Sequence, residues 1–152
     1  MPEAAIADTS TLIALEKINL IEILCKIYET IILPESVFNE FGTSTVACYL
    51  VKKVESPLIR LLVSDLNLGK GEAEVIALAK ETGLKIIMDD QKGRKVAKTL
   101  GLTFTGTIGI LLKAEKLLLI ESAHEKIKEL KEKGFYVSDE LLDDISRFKK
   151  SI

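Results

Sequence analysis

The sequence predicts an α/β fold: a three-layer α/β/α sandwich around a four- to five-stranded, mainly parallel sheet. Three observations carry this expectation. Short apolar or β-branched runs recur along the chain as AIA, TIIL, KIIM and LTF. Between them lie longer stretches with apolar residues at helical spacing. The chain has 152 residues, of which 47% are hydrophobic and 29% charged. That is enough for one substantial core under a wet surface. We expect a single domain over residues 1–152, with a C-terminal helix at about 138–150 packed on it.

Taken in order, EAAIAD (3–8) is a short strand ending on Asp8. Residues 9–28 are helical in spacing, with a break near Asn19. TIIL (30–33) is β-branched and strand-like, and Pro34 suits the first turn of the helix PESVFNEF, which stops at Gly42. Residues 44–54 look helical, and LIRLLV (58–63) reads as a short edge strand. Two glycines in LNLGKGEAEVIALAKETG lead into a helix with Val75, Ile76, Leu78 and Ala79 inward, closed by Gly83. KIIM (85–88) is a strand, QKGRKVAKTLG a basic helix, and LTF a small strand. Helices follow over TGTIGILLKAEKL, 121–133 and SDELLDDISRFKK, the last with Ser138 as its N-cap.

Composition narrows the chemistry. No apolar run approaches the roughly 20 residues of a membrane helix. The start, MPEAAIAD, has no basic n-region, so no signal peptide is read and the expected compartment is the cytoplasm. The net charge is −2, so a nucleic-acid partner would need a local basic patch. Cys25 and Cys48 are far apart and lie in apolar segments, which reads as two buried free thiols. His124 is the only histidine, and it sits in a polar helical run as a surface residue. That argues against zinc catalysis and a histidine triad, and leaves oxygen ligands for Mg²⁺ or Mn²⁺. Abundant Ile, Leu, Lys and Glu with no Trp fits a thermophilic source.

The acids fall in a pattern. Asp8 ends the first strand, and Asp89 and Asp90 follow KIIM. In an open parallel sheet, ligands bind outside the carboxyl ends of the strands, where strand order reverses. With the first strand central, Asp8 and the Asp89/Asp90 pair face one crevice. Glu40, in the helix after the second strand, and Glu72 and Glu74, in the first turn after GKG, can point there too. Singly, each has a plainer explanation: a helix cap for Asp8, the helix dipole for Glu72 and Glu74, solvent for Glu40. Together they form a cluster of like charges, which a shared hard cation would relieve. Two such ions about 3.5–4 Å apart make a phosphodiester-cleaving clamp. Lys92, Arg94, Lys95 and Lys98 follow directly and read either as a solvated face or as a grip on a phosphate backbone. GKGEAE lacks the GxxxxGK[ST] pattern, and no GxGxxG follows the first strand, so nucleoside-triphosphate and dinucleotide binding are rejected. The acids also come in the wrong order for a receiver-type phosphoacceptor.

The segments ADTSTLIAL, PESVFNEF and GEAEVIALAKETGLKIIMDD resemble, in order and spacing, the motifs of the PIN domain family. The stretch DDQKGRKVAKTLGLTFTGTIGILLKAEK is similar to a PIN-like subgroup described as nucleic-acid binding, through Gly93, Arg94, Val96, Ala97, Gly106, Thr107 and Gly109. The likeness covers roughly residues 5 to 145. It implies a Mg²⁺- or Mn²⁺-dependent endoribonuclease acting on RNA, taken as single-stranded. Asp8, Glu40, Glu72 and Asp90, with Asp89 as the alternate for Asp90, would be the catalytic metal-binding acids. Ser10 and Thr107 would orient a carboxylate or contact phosphate, and Lys92, Arg94 and Lys95 would bind the backbone. Many relatives are VapC-type toxins, so an antitoxin protein and a second copy of the chain are further partners to consider. Two departures stand out: the third acid is Glu72 where the family has Asp, and the subgroup motifs differ from those of typical toxins. The rival reading is a non-catalytic PIN-like module that binds RNA or protein.

Overall fold

The computed structural model describes residues 3–42 and 47–151. Five strands form one sheet: β1 (Ala4–Ala7), β2 (Thr30–Pro34), β3 (Tyr49–Lys52), β4 (Lys85–Ile87) and β5 (Phe104–Thr105). Their order is β3-β2-β1-β4-β5 and every pairing is parallel. The α/β class and the parallel sheet agree with the sequence reading. β1 is central, and its residues 5–7 are fully buried, as two-sided burial of a parallel strand requires. Helices α1 (Thr9–Lys17), α2 (Ile23–Ile27) and α3 (Glu35–Phe41) accompany the first half. They are followed by α4 (Pro57–Ser64), α5 (Lys70–Thr82), α6 (Gln91–Thr99), α7 (Thr107–Lys116), α8 (Ala123–Glu132) and α9 (Asp139–Ser151).

Two elements correct the sequence reading. LIRLLV is not an edge strand but α4. Ser56 caps it, its Oγ accepting from the Leu58 N–H at 3.2 Å, and Pro57 occupies the first turn. Only Leu62 is buried along it, so a short apolar run concealed a helix with one inward face. Conversely, residues 49–52, expected as helix, are β3; residues 44–46 of that expectation lie outside the described residues. β3 is an edge strand with Leu50 and Val51 exposed, so burial leaves no period-2 pattern to read.

The cysteines are a third correction. Cys25 and Cys48 are not free thiols but a disulfide, with Cα atoms 5.6 Å apart. The cause lies in the sheet. The Ile31 N–H donates to the Cys48 carbonyl at 3.0 Å, so the β2–β3 ladder begins beside α2, which carries Cys25. A separation of 23 residues gives no local signal of this.

α5 is the hub. Residues 73–79 are buried all round, against α3, α4, α6 and strands β1, β2 and β4. Alanines at 73, 77 and 79 permit that close approach. Gly83 ends the helix in the left-handed region (φ 74°). At the far end, Ser138 Oγ accepts from the Leu141 N–H at 3.1 Å, and α9 packs on α8. Among the described residues no helix is long and apolar enough to cross a membrane.

Candidate active site

The chain runs outward from β1 to β2 and β3, then returns to the other side of β1 for β4 and β5. Strand order therefore reverses between β1 and β4, and their carboxyl ends open a crevice. Asp8 follows β1, and its N–H donates to the Ile87 carbonyl at 2.9 Å. Asp89 and Asp90 follow β4. Helices α3 and α5 bring Glu40 and Glu72 to the same crevice, a cavity of about 450 Å³ lined by these five acids with Thr9 and Ser10.

The side chains differ in how they are held. Asp8 is only 4% exposed and sits at the N-cap of α1 without the side-chain bond that a capping residue makes to a later amide. The Ser10 hydroxyl donates to its Oδ2 at 3.1 Å, and Ser10 Oγ accepts the Asp89 N–H at 3.3 Å. Asp89 Oδ2 accepts from the Thr11 hydroxyl at 3.0 Å and from the Thr107 hydroxyl; its Oδ1 accepts the Thr107 N–H at 2.8 Å. Asp90 caps α6, its Oδ2 accepting the Gly93 N–H at 2.7 Å. Glu72 Oε1 accepts the Gly69 N–H at 3.0 Å, satisfying a backbone amide at the head of α5. Glu40 is exposed and reaches over Gly71, where an added methyl group would stand 3.8 Å from its Oε2. Glu74 turns away from the crevice to Ser36 on α3.

Crowding the acids has an electrostatic cost. Burial pushes the Asp8 carboxyl up to about 6. The Thr9 amide and the Ser10 hydroxyl oppose this, and the charges of Glu40 and Asp90 add to it. Burial likewise pushes Glu72 to about 7, with a side-chain hydrogen bond to Asp90 as the next cause and the Gly69 N–H opposing. Burial and the neighbouring Asp90 side chain together favour the protonated form of Glu72. Among the described residues no three acid, histidine or cysteine side chains converge on a single point as they stand. The donor set is nonetheless all oxygen and over-supplied with negative charge. It fits Mg²⁺ or Mn²⁺ rather than a softer metal.

The basic residues separate. Lys92 and Lys95 are exposed, and Lys92 Nζ reaches the Asn67 carbonyl at 3.3 Å. Arg94 folds back, its guanidinium 4.8 Å from the centroid of the Phe104 ring. A larger groove, about 800 Å³, lies between α3, α4 and α5. Its acids include Glu55, paired with Lys53 at 3.3 Å, and Glu74, already engaged by Ser36. Chemistry, not size, selects the smaller cavity.

Sequence reasoning passed over two threonines. Thr11 anchors Asp89, as described. Thr9 is 4% exposed, lines the crevice, and its hydroxyl has no partner among the described residues. Their signal is the run DTST itself, which puts three hydroxyls in the turn after Asp8.

A parallel sheet with acids gathered at its switch point defines the class: an α/β protein with an acid-lined crevice. The sequence matches the PIN domain family over residues 4–150, and the chain belongs to that family. PIN domains are generally nucleases that use divalent metals. The crystal structure of PAE2754 from Pyrobaculum aerophilum is similar, with a TM-score of 0.54 at 18% identity, covering 74% of this chain and 97% of that one. At that identity the likeness concerns the fold. No curated protein matches the sequence.

Proposed function

We propose that this protein is a Mg²⁺- or Mn²⁺-dependent endoribonuclease that hydrolyses phosphodiester bonds in single-stranded RNA. The observation that carries the reading is that four carboxylates from separate elements line one crevice, two of them pushed toward neutral pH by burial and by neighbouring acids. Asp8, Glu40, Glu72 and Asp90 would hold the cation. When bound, it would supply the positive charge that stabilises the phosphorane-like transition state and makes water acidic enough to attack at neutral pH. Glu72 would give up its proton on taking it. Ser10 holds Asp8 in orientation through the bond to Oδ2. The buried Thr9 hydroxyl, still lacking a partner, is placed to bond a water or phosphate oxygen in the crevice. Lys92 and Lys95, exposed on the helix that Asp90 caps, would hold the flanking phosphates.

The test is cleavage of a fluorescent single-stranded RNA in Mn²⁺, in EDTA, and by Asp8→Asn in Mn²⁺. Strong cleavage in the first case alone supports the reading. Equal rates in all three would remove it. Salt-sensitive RNA binding without metal-dependent turnover would favour a non-catalytic module instead.

A further inference from the structure

We infer that Asp89 is a positioning residue that sets the geometry of Asp8 and Asp90, and that Gly106 exists to let it do so. The inference rests on the metal-site reading above. Its starting point is the asymmetry of the adjacent acids. Both oxygens of Asp89 are engaged, by Thr11 of α1 and by the amide and hydroxyl of Thr107 at the head of α7. A carboxylate with three donors fixed on two helices is pre-occupied. Asp90 instead gives Oδ2 to its own helix and meets Glu72 across the crevice.

Asp89 also acts through its backbone. Its N–H donates to Ser10 Oγ, whose hydroxyl donates to Asp8 Oδ2. A continuous chain therefore runs Thr107–Asp89–Ser10–Asp8, from the head of α7 across the end of β4 to the end of β1. The next residue along the backbone is Asp90. Whatever fixes Asp89 fixes the gap between the two acids on either side of it.

Gly106 is the reason Asp89 can reach Thr107. A Cβ at position 106 would stand 2.6 Å from Asp89 Oδ1, 3.3 Å from an Arg94 guanidinium nitrogen and 3.5 Å from the Met88 carbonyl. The first distance is closer than real Cβ contacts allow. Arg94, stacked on Phe104, borders the same spot, so a side chain at 106 would displace the Asp89 carboxylate from its place beside Thr107. The glycine of the GT pair at 106–107 is thereby explained by a close approach, not by backbone strain.

The experiment is a double-mutant cycle read in two ways. Calorimetry gives Mn²⁺ affinity and stoichiometry, and NMR amide exchange of Thr107 in metal-free protein reports the Asp89 contact. Asp90→Asn should lose Mn²⁺ binding. Asp89→Asn, which keeps an acceptor for the Thr107 amide, should retain the stoichiometry and weaken affinity by roughly ten- to hundredfold, the usual effect of removing a group that orients a ligand. Gly106→Ala should match that loss and speed Thr107 exchange. In an Asp89→Ala background it should add nothing, because the atom it strikes is gone. Loss of stoichiometry in Asp89→Asn, or additive effects of Gly106→Ala and Asp89→Ala, would overturn the inference. If wild type takes up no Mn²⁺, the metal-site reading fails, and the exchange cycle alone decides whether Gly106 serves Asp89.

Discussion

Glu74 closes on Ser36: its carboxylate accepts the Ser36 N–H at 3.1 Å and the Ser36 hydroxyl at 2.5 Å. Glu74 is 5% exposed, so these bonds offset the burial of a charge and tie α5 to the first turn of α3. Glu72, two residues earlier, faces the crevice. Residues at i and i+2 point away from each other on a helix, so one turn supplies both a structural acid and a site acid.

The contrast gives a first prediction. Glu74→Ala leaves two donors of Ser36 without their acceptor and should cost about 2 kcal/mol, the scale of hydrogen bonds to a charged group. The melting temperature should fall by roughly 4–8 °C for a domain of this size. Folded Glu74→Ala should bind Mn²⁺ with the wild-type stoichiometry. An unchanged melting temperature would mean that the pair does not hold the helices together.

Stability should depend on pH through the crowded acids. Asp8 rises to about 6 and Glu72 to about 7 in the folded protein, both above their ordinary values. The folded state therefore binds more protons than the unfolded state between about pH 4 and 7. Their contribution is fully present below pH 4 and lost as pH rises through 6 to 7. For buried Asp8 this is of order 2–3 kcal/mol. Calorimetric melts in EDTA should show the melting temperature falling from pH 5 to 8. Asp8→Asn should flatten the fall, and saturating Mn²⁺ should oppose it. A melting temperature that rises across that window, equally in wild type and Asp8→Asn, would contradict the assignment.

The disulfide yields a third prediction. Cys25–Cys48 closes a loop of 23 residues that contains β2 and α3, and with it Glu40. By the chain-entropy account such a bridge contributes about 3 kcal/mol. Reduction by a phosphine, or Cys25→Ser, should lower the melting temperature by roughly 6–12 °C. Faster amide exchange should appear first in β3, an edge strand with little burial of its own. Identical melts with and without reductant, with the bond verified by mass spectrometry, would contradict this.

What could be read from sequence follows burial. AIA, TIIL and KIIM were legible as strands because both faces of β1, β2 and β4 are covered, so hydrophobicity runs unbroken. β3 was not, because solvent reaches Leu50 and Val51 and a helical spacing fits such a segment as well as any other. α4 was misread because LIRLLV is too short to separate the two periods, although Ser56–Pro57 carried the capping signal. Asp8, Glu40, Glu72 and Asp90 line one crevice, since parallel topology sends every strand end to one edge. Propensity says nothing about which neighbouring acid turns inward. Glu72 and Glu74, or Asp89 and Asp90, are separated only by their hydrogen-bond partners, and those come from residues such as Ser36 and Thr107 far away in sequence.

The same distinction applies to the basic residues after Asp90. Lys92 and Lys95 are exposed, while the Arg94 guanidinium rests on the Phe104 ring. If the crevice takes RNA, the lysines bind by charge alone, so Lys92→Ala and Lys95→Ala should each weaken binding across sequences. Each should also reduce the steepness of the salt dependence by about one unit or less, the single-strand value per neutralised phosphate being about 0.7. Arg94→Ala should behave differently. It removes a stacking contact of about 0.5–1 kcal/mol and uncovers the ground beside Gly106, so it should lower the melting temperature slightly and leave the salt slope unchanged. Titrations of a fluorescent single-stranded RNA at several salt concentrations, in EDTA, separate the two roles. A slope that changes with Arg94→Ala and not with either lysine variant would reverse the assignment. It would make the stacked arginine the phosphate contact and the lysines ordinary surface.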